Sequence, residues 1–317
     1  MIVKFWGTRG SIPTGITAPQ IRAKIQQALA GAAGLDLADE ATLNRYLERL
    51  PFTVQGTVGG NTPCIEVRSG DQLLIIDAGS GIRLLGLDLM QRGFAGGQRQ
   101  ADILVTHTHW DHIQGWPFFP PAFIAGNRFT FHSPFANLFE RLTRQQSPEF
   151  FPVPLLYMSA ALEFTPITPE QWQAIGRFRV RATRVSHPGE TYAYRIEDGQ
   201  SALVIATDSE YKRADPTSTE TFVDFFHQAD LLVFDAQYNL TEALDKPDWG
   251  HSTPMMGAEL AYRAQVKRLA LFHHDPTSSD DKIWGGKEQA EAYLLRRHVP
   301  SNACEIMVAF DGLELEI

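Results

Sequence analysis

The run His-Thr-His-Trp-Asp-His at positions 107–112 concentrates more ligand-type side chains than any other stretch of the sequence. Imidazole nitrogens and carboxylate oxygens are the ligands that borderline divalent cations such as zinc bind. Because the run follows an apolar, strand-like segment, a turn at the strand end would let alternate side chains converge on two nearby ions. Only ten histidines are present, so this cluster favours a metal site over a polar surface loop. The candidate ligands are His107, His109, Asp111 and His112.

The spacing His-x-His-x-Asp-His resembles the signature of the metallo-β-lactamase superfamily, whose fold is a four-layer αβ/βα sandwich. The resemblance implies His187 as the third ligand of a first metal and Asp208 as a carboxylate that bridges two metals. It implies His273 as the last ligand of the second metal, with the adjacent His274 as the alternative. Taken singly, these residues also fit a loop, a turn cap and a buried core histidine. Their order along nearly the whole chain favours ligation for all three.

The second half of the chain resembles ribonuclease Z and its phosphodiesterase relatives, through Gly-His-Ser-Thr at 250–253 and the segments 257–261 and 266–273. In that branch the histidine is catalytic and an acidic residue after the preceding strand orients it, which implies His251 and Asp235 here. The branch usually has glutamate, so the shorter Asp235 leaves the length of their contact open. The other interpretation of His251 is a loop residue before a helix that Thr253 caps.

The segments 5–13 and 59–63 resemble a bacterial branch described as cyclic-nucleotide or cyclic-phosphate phosphodiesterases. The implied mechanism uses two divalent metal ions, which share a bridging water and lower its pKa. The resulting hydroxide attacks phosphorus while His251, held by Asp235, stabilises charge or protonates the leaving group. Asp111 would also orient the hydroxide. Asp77 resembles a residue that hydrogen-bonds a ligand histidine, or else it caps a strand-end turn.

Zinc is the expected metal, and manganese and iron are the alternatives on this scaffold. The same metals could instead serve hydrolysis of a carboxylic ester, lactone or thioester, for which His251 would be dispensable. A metal-bound sensor without turnover is a third hypothesis, and the complete ligand set argues against it.

Short apolar runs bounded by Gly, Asp or Pro predict strands at 72–76, 102–105, 202–206, 230–234 and 268–272. Several of these runs are apolar at successive positions, which is typical of strands covered on both faces. Mixed with helical patterns, they predict an α/β (α+β) protein, here a single domain over residues 1–317.

Two stretches look like insertions into this domain. The first, at about 17–57, has two amphipathic helix patterns, with Ile21, Ile25 and Leu29 on one face of the first. The second, at about 116–160, is rich in Phe and Pro, and it either packs irregularly into the core or walls an active site.

The formal net charge of −9 gives no electrostatic attraction for tRNA or DNA. The second insertion also lacks the basic, Gly-Pro-rich character of the arm with which ribonuclease Z grips tRNA. We therefore expect a small phosphodiester substrate. The resemblance also allows a homodimer, for which the 17–57 insertion is a candidate surface.

The two cysteines, Cys64 and Cys304, are predicted to be free thiols. No apolar run approaches the roughly 20 residues of a membrane span, and the N-terminal residues lack a signal pattern. The expected compartment is the cytoplasm.

Overall fold

The computed structural model describes residues 1–212, 215–300 and 302–317, and two seven-stranded sheets form its centre. The strands are β1 Ile2–Gly7, β2 Cys64–Ser69, β3 Gln72–Ile76, β4 Gln100–Leu104, β5 Arg128–Ser133, β6 Ala161–Pro166, β7 Gln173–Ile175, β8 Phe178–Arg184, β9 Tyr192–Glu197, β10 Ala202–Ala206, β11 Leu231–Asp235, β12 Arg268–Phe272, β13 Glu305–Val308 and β14 Glu314–Glu316.

The α-helices of the described residues lie between these strands and on their outer faces. They are α1 Ala18–Gly31, α2 Glu40–Arg49, α3 Phe52–Gln55, α4 Ile82–Gln91, α5 Trp110–Ile113, α6 Leu138–Gln145, α7 Pro216–Phe226, α8 Leu240–Asp245, α9 Pro254–Arg263 and α10 Asp280–Arg296. None of the helices in the described ranges combines the length and the apolar character that a bilayer crossing requires.

The strand order is β14-β1-β2-β3-β4-β5-β6 in the first sheet and β13-β12-β11-β10-β9-β8-β7 in the second. Strands β3 to β6 run parallel to one another, and so do β10 to β13. The carboxyl ends of parallel strands lie at one edge of a sheet, which is where open α/β sheets usually place their sites.

Strand β10 shows how the layers are packed. Leu203 and Ile205 face a core that includes residues of both sheets, whereas Val204 and Ala206 face the core under α7, α9 and α10. This burial on both faces explains the uninterrupted apolar run and confirms the prediction of strands covered on both sides. The predicted strands at 72–76, 202–206 and 268–272 match β3, β10 and β12, and the other two are displaced by one or two residues.

The 17–57 stretch forms α1, α2 and α3, so the two predicted helices are present. The apolar face predicted for α1 does not enter the core, because Ile21, Ile25 and Leu29 are all exposed. Polar contacts hold α1 instead: the Lys24 ammonium donates to the Asp280 carboxylate at 2.8 Å and to the carbonyl of Gly56, directly after α3, at 2.8 Å.

The 116–160 stretch combines both predicted arrangements. Trp116 and Phe119 are fully buried among the aromatic rings of the first sheet, which is irregular core packing. Phe118 and Phe150 are exposed. The stretch also contributes α6, whose Arg141 donates a hydrogen bond to Thr108 in the 107–112 run. Both cysteines are buried and free, as predicted.

Candidate metal centre

The predicted ligands lie at the carboxyl ends of strands from both sheets, where the two edges meet. The 107–112 run follows β4, and its last part forms the short helix α5. His187 follows β8, Asp208 follows β10 and His273 follows β12 directly. Residues separated by up to 166 positions are therefore brought together by strand order, and they form two adjacent donor groups.

The first donor group consists of His107, His109 and His187, which offer donor atoms within 4.8 Å of one another. His187 Nε2 lies 3.0 Å from His109 Nδ1. His107 is buried and His109 is exposed, so this group forms the side of the centre that is open to solvent.

The second donor group consists of Asp111, His112, Asp208 and His273, all of them buried. His273 Nε2 lies 3.2 Å from Asp111 Oδ2, and His112 Nε2 lies 3.2 Å from Asp208 Oδ2. Two carboxylates and two imidazoles at this spacing form a donor set suited to a divalent cation.

Asp208 lies between the two groups. Its Oδ1 is 3.8 Å from Nε2 of both His107 and His187, and 3.3 Å from His273 Nε2. Its Oδ2 faces His112. This one carboxylate therefore faces both groups, with Oδ1 near members of each and Oδ2 near the second group alone.

The buried nitrogens fit a bound cation. His107 Nε2 is buried and has no hydrogen-bond partner, an arrangement that costs free energy unless something else binds the nitrogen. Burial lowers the pKa of His107, His109 and His187, so these rings are neutral and keep the lone pairs that a metal requires.

The second group carries a proton in the absence of a cation. Burial lowers the pKa of His112, but Asp208, Asp111 and Asp77 outweigh it and raise that pKa well above its ordinary value. Burial would raise the pKa of Asp208, yet His273 and His112 hold it well below its ordinary range. The imidazolium of His112 thus supplies positive charge among carboxylates where a cation would otherwise do so.

Hydrogen bonds fix the orientation of three of the candidate ligand histidines. His112 Nδ1 lies 2.7 Å from Asp77 Oδ2, which is the contact expected for Asp77. His273 Nδ1 donates to Gln237 Oε1 at 2.8 Å, and His187 Nδ1 donates to the carbonyl of Gly250 at 2.9 Å. Each contact leaves Nε2 directed at the centre.

Gln237 was not predicted, because a single glutamine after a strand has no distinctive spacing. No role was predicted for the N-terminal loop either. There the backbone N–H of Ser11 donates to Asp111 Oδ2 at 2.7 Å, and the residue has a φ of +64°. A Cβ on Gly10 would lie 2.5 Å from the His273 ring, so only glycine lets this loop approach the centre so closely. The glycine-rich character of the loop was the available signal.

The structure distinguishes His273 from His274. His274 is turned away from both donor groups, and its Nε2 donates to the carbonyl of Ala309 at 2.8 Å. Burial lowers the pKa of His274 to about 3, so the ring is a neutral part of the packing. His273 is the residue within the second group.

Left-handed backbone conformations accompany this arrangement. Asp77, Asp208 and His273 have φ values of +60°, +52° and +59°. Such conformations cost of order 1–3 kcal/mol each in non-glycine residues and persist where the surrounding structure enforces them, often at functional sites.

His251 and Asp235 lie directly beside the second group. His251 Nδ1 donates to Asp235 Oδ2 at 2.8 Å, so aspartate reaches the histidine despite its shorter side chain. The His251 ring stacks on His273 with a centroid distance of 5.1 Å. Burial lowers the pKa of His251, but the Asp235 carboxylate outweighs it and raises the pKa to about 9.

Comparison with known families matches residues 73–274 to the model described as beta-lactamase superfamily domain. The chain belongs to the metallo-β-lactamase superfamily. A ribonuclease Z from Bradyrhizobium sp. (strain ORS 278) is 24% identical over 284 residues, which cover 70% of this chain and 87% of that protein.

Two solved structures show the same metallo-β-lactamase fold. YhfI from Bacillus subtilis has a TM-score of 0.64 at 18% identity, with 99% of this chain and 98% of that chain covered. A diphosphatase from the PhnP family has a TM-score of 0.59 at 20% identity, with 100% and 97% covered. The predicted family and sandwich are confirmed, and the matches support a metal-dependent hydrolase.

Proposed function

We propose that this protein hydrolyses a small phosphodiester with two divalent cations, one in each donor group. The observation that carries the proposal is the position of Asp208 between the groups, next to the hydrogen-bonded pair of His251 and Asp235. The similarity to ribonuclease Z supports phosphodiester chemistry over that of the carboxylic ester hydrolases.

The ligand assignment follows the geometry. His107, His109 and His187 would hold the first cation, and Asp111, His112 and His273 the second. Asp208 would contribute one oxygen to each. When bound, two such cations neutralise charge on phosphoryl oxygens and make water acidic enough to react near neutral pH. Zinc suits these nitrogen and oxygen donors, with manganese and iron as the alternatives.

The chain's own groups would bind the substrate and move the proton. The Asp111 carboxylate is fixed by the backbone N–H of Ser11 and can orient the attacking water. His251 uses Nδ1 for Asp235, which leaves its Nε2 proton for the leaving oxygen. Such general-acid assistance is typically worth 10²–10⁴-fold in rate.

A small substrate agrees with the distribution of charge. The net charge is −9, and the 116–160 stretch contains no lysine. Binding of a long polyanion depends on many cation–phosphate contacts, which a net negative charge does not favour. We therefore propose that tRNA and DNA are not the substrates, although ribonuclease Z is among the relatives.

The test combines metal analysis with a substrate panel. The purified protein would be assayed with bis(p-nitrophenyl) phosphate, a p-nitrophenyl carboxylic ester and a lactone, beside Asp208→Ala. The matched control is Asp230→Ala, whose carboxylate pairs with Lys267 at 2.6 Å at the opposite end of the next strand. We expect about two metals per chain and preferred cleavage of the diester. Asp208→Ala should lose both metal and activity, and Asp230→Ala neither.

Two results would contradict the proposal. Cleavage of the ester or lactone without the diester would assign the centre to carboxylic ester hydrolysis. Stoichiometric metal without turnover of the whole panel would indicate a sensor.

A further inference from the structure

Asp311, which lies between β13 and β14, joins two loops that are distant from it in sequence. The first is the glycine loop, residues 59–62. There Asp311 Oδ2 accepts hydrogen bonds from the backbone N–H groups of Gly60 and Asn61, at 3.1 and 3.0 Å, and from Asn61 Nδ2 at 3.0 Å. In the second loop, the Thr8 hydroxyl donates to Asp311 Oδ1 at 3.2 Å. One carboxylate therefore binds both loops.

The Asp311 carboxyl is suited to accept these four hydrogen bonds. Burial raises its pKa to about 6, which leaves it ionised at neutral pH. An ionised carboxylate only accepts hydrogen bonds, and all four contacts come from donors. Gly59 packs directly against it, because its φ is +91° and a Cβ there would lie 2.2 Å from Asp311 Cγ. Glycine at this position is therefore what allows the loop to approach the carboxylate.

The glycine loop in turn holds the backbone of the N-terminal loop, residues 8–11. The carbonyl of Asn61 accepts from the backbone N–H groups of Thr8 and Arg9, at 2.9 and 2.8 Å. The Arg9 guanidinium makes a contact in the opposite direction, since its Nε donates to the carbonyl of Gly59 at 3.0 Å. The two loops are thus bound to each other by backbone groups that Asp311 fixes from one side.

The N-terminal loop ends at the metal centre. The backbone N–H of Ser11 donates to Asp111 Oδ2 at 2.7 Å, an oxygen that also faces the rings of His112 and His273. Ser11 has a φ of +64°, a conformation that costs free energy in a non-glycine residue and persists where the surrounding structure enforces it. The contact between Ser11 and Asp111 therefore depends on the hydrogen bonds that hold the preceding residues.

We propose that Asp311 is a positioning residue for the metal centre. By holding the glycine loop against the N-terminal loop, its carboxylate keeps the Ser11 N–H on Asp111. That N–H fixes the orientation of the Asp111 carboxylate, which binds the second cation and directs the attacking water. The inference rests on the proposed function, which gives Asp111 these two roles. It adds a residue that belongs to neither donor group and acts through one that does.

The first readout is the zinc affinity of the metal-free protein, measured by competition with a chromophoric chelator. Asp311→Ala removes the acceptor of four hydrogen bonds. We expect the affinity for the second zinc ion to fall by about 10- to 100-fold, as for other groups that orient metal ligands. Asp311→Asn should restore most of the affinity, because its amide oxygen can accept from the same N–H groups and its NH₂ can donate to the Thr8 hydroxyl.

The matched control is Asp198→Ala. The Asp198 carboxylate accepts from Ser69 Oγ at 2.8 Å and from the backbone N–H groups of Gln200 and Ser201 at 3.1 and 3.0 Å. It lies in the turn between β9 and β10, at the end of β10 opposite the metal centre. Both alanine variants should unfold at lower urea concentrations than wild type, whereas Asp198→Ala should keep the wild-type zinc affinity.

Turnover supplies a second readout that a purely structural role would not change. At saturating zinc, Asp311→Ala should lower kcat for bis(p-nitrophenyl) phosphate by about 10-fold. KM should stay nearly constant, because the group that loses its orientation acts on the attacking water and not on the bound diester. Asp311→Asn should recover most of kcat.

A double-mutant cycle with Asp111→Ala tests whether the effect passes through Asp111. If it does, adding Asp311→Ala to Asp111→Ala should reduce the zinc affinity no further. If Asp311 only supports the fold, the two losses should multiply. Thr8→Val removes one hydrogen bond to Asp311 and keeps the side-chain shape. It should weaken zinc binding by about 2- to 10-fold, and it replaces Asp311→Ala in the cycle if that variant does not fold.

The outcomes separate the two proposals. If wild type binds zinc without cleaving the diester, the proposed function fails, and the zinc affinities still test Asp311. If wild type cleaves the diester while Asp311→Ala keeps its zinc affinity and kcat, the positioning role is overturned and the function stands. Losses that multiply in the cycle, or an equal loss of zinc affinity in Asp198→Ala, would also overturn the positioning role.

Discussion

Replacing Asp235 by asparagine removes the charge that keeps His251 protonated. The Asp235 side chain is fully buried, and its Oδ1 accepts from the backbone N–H groups of Gln237 and Ser252 at 3.1 and 3.3 Å. Asparagine has the same shape and keeps that acceptor. Its NH₂ then faces His251 Nδ1, where it can only donate, so the ring must accept there and become neutral.

The magnitude follows from the pKa of His251. Burial would lower this pKa, but Asp235 raises it to about 9. At pH 8 a group with this pKa is mostly protonated, whereas an ordinary imidazole with a pKa of about 6.5 is only a few per cent protonated, a difference of roughly 30-fold. Because burial persists in Asp235→Asn, the loss of the acid form should be at least this large.

The assay compares two leaving groups over a range of pH. A p-nitrophenolate leaves without a proton, whereas a nucleoside alkoxide needs one. For a dinucleotide, Asp235→Asn should lower kcat/KM at pH 8 by roughly 30-fold or more, and the alkaline limb should move from near pH 9 to below 6.5. For bis(p-nitrophenyl) phosphate the loss should be a few-fold. Asp230→Asn, which neutralises a carboxylate paired with Lys267, is the control.

An equal loss of kcat/KM on both substrates would show that His251 does not donate a proton to the leaving oxygen. An alkaline limb that stays near pH 9 in the variant would refute the assignment of that limb to His251.

Three further predictions concern the centre itself. In protein stripped of metal, the raised pKa of His251 should add on the order of 3 kcal/mol to the free energy of unfolding below pH 6.5, and this stabilisation is lost as pH rises through about 9. Urea unfolding at several pH values measures the effect, and a free energy of unfolding that does not change over this pH range would contradict it. Gln237→Leu, which removes the acceptor for His273 Nδ1, should weaken metal affinity by about 10- to 100-fold in chelator competition, while Gln200→Leu on the surface should not. Metal binding should release about one proton per chain, because His112, whose pKa is raised in the metal-free protein, must lose its proton to bind a cation. Calorimetry of metal binding in buffers of different ionisation enthalpy detects this release, and equal binding heats in all buffers would exclude it.

Several features of this protein could be predicted from sequence because they are local. The 107–112 run places four candidate ligand side chains within one turn after a strand, and the apolar run of β10 directly reflects burial on both faces. His187, Asp208 and His273 carry no such local pattern. They could be recognised only through the order of a family signature along the chain.

Only the tertiary structure decided which groups orient the ligands and which apolar faces are covered. Ser11 reaches Asp111 through its backbone N–H, and the Gly250 carbonyl reaches His187. Backbone groups are identical in every residue, so no pattern of side chains identifies these contacts. The apolar periodicity of α1 predicts that one face of the helix is buried. Ile25 on that face is nevertheless exposed, because burial depends on which elements pack against the helix and not on its own periodicity. Likewise His273 and His274 are alike in sequence, and they differ only because the chain enters the centre with a φ of +59° at His273 and turns His274 toward Ala309.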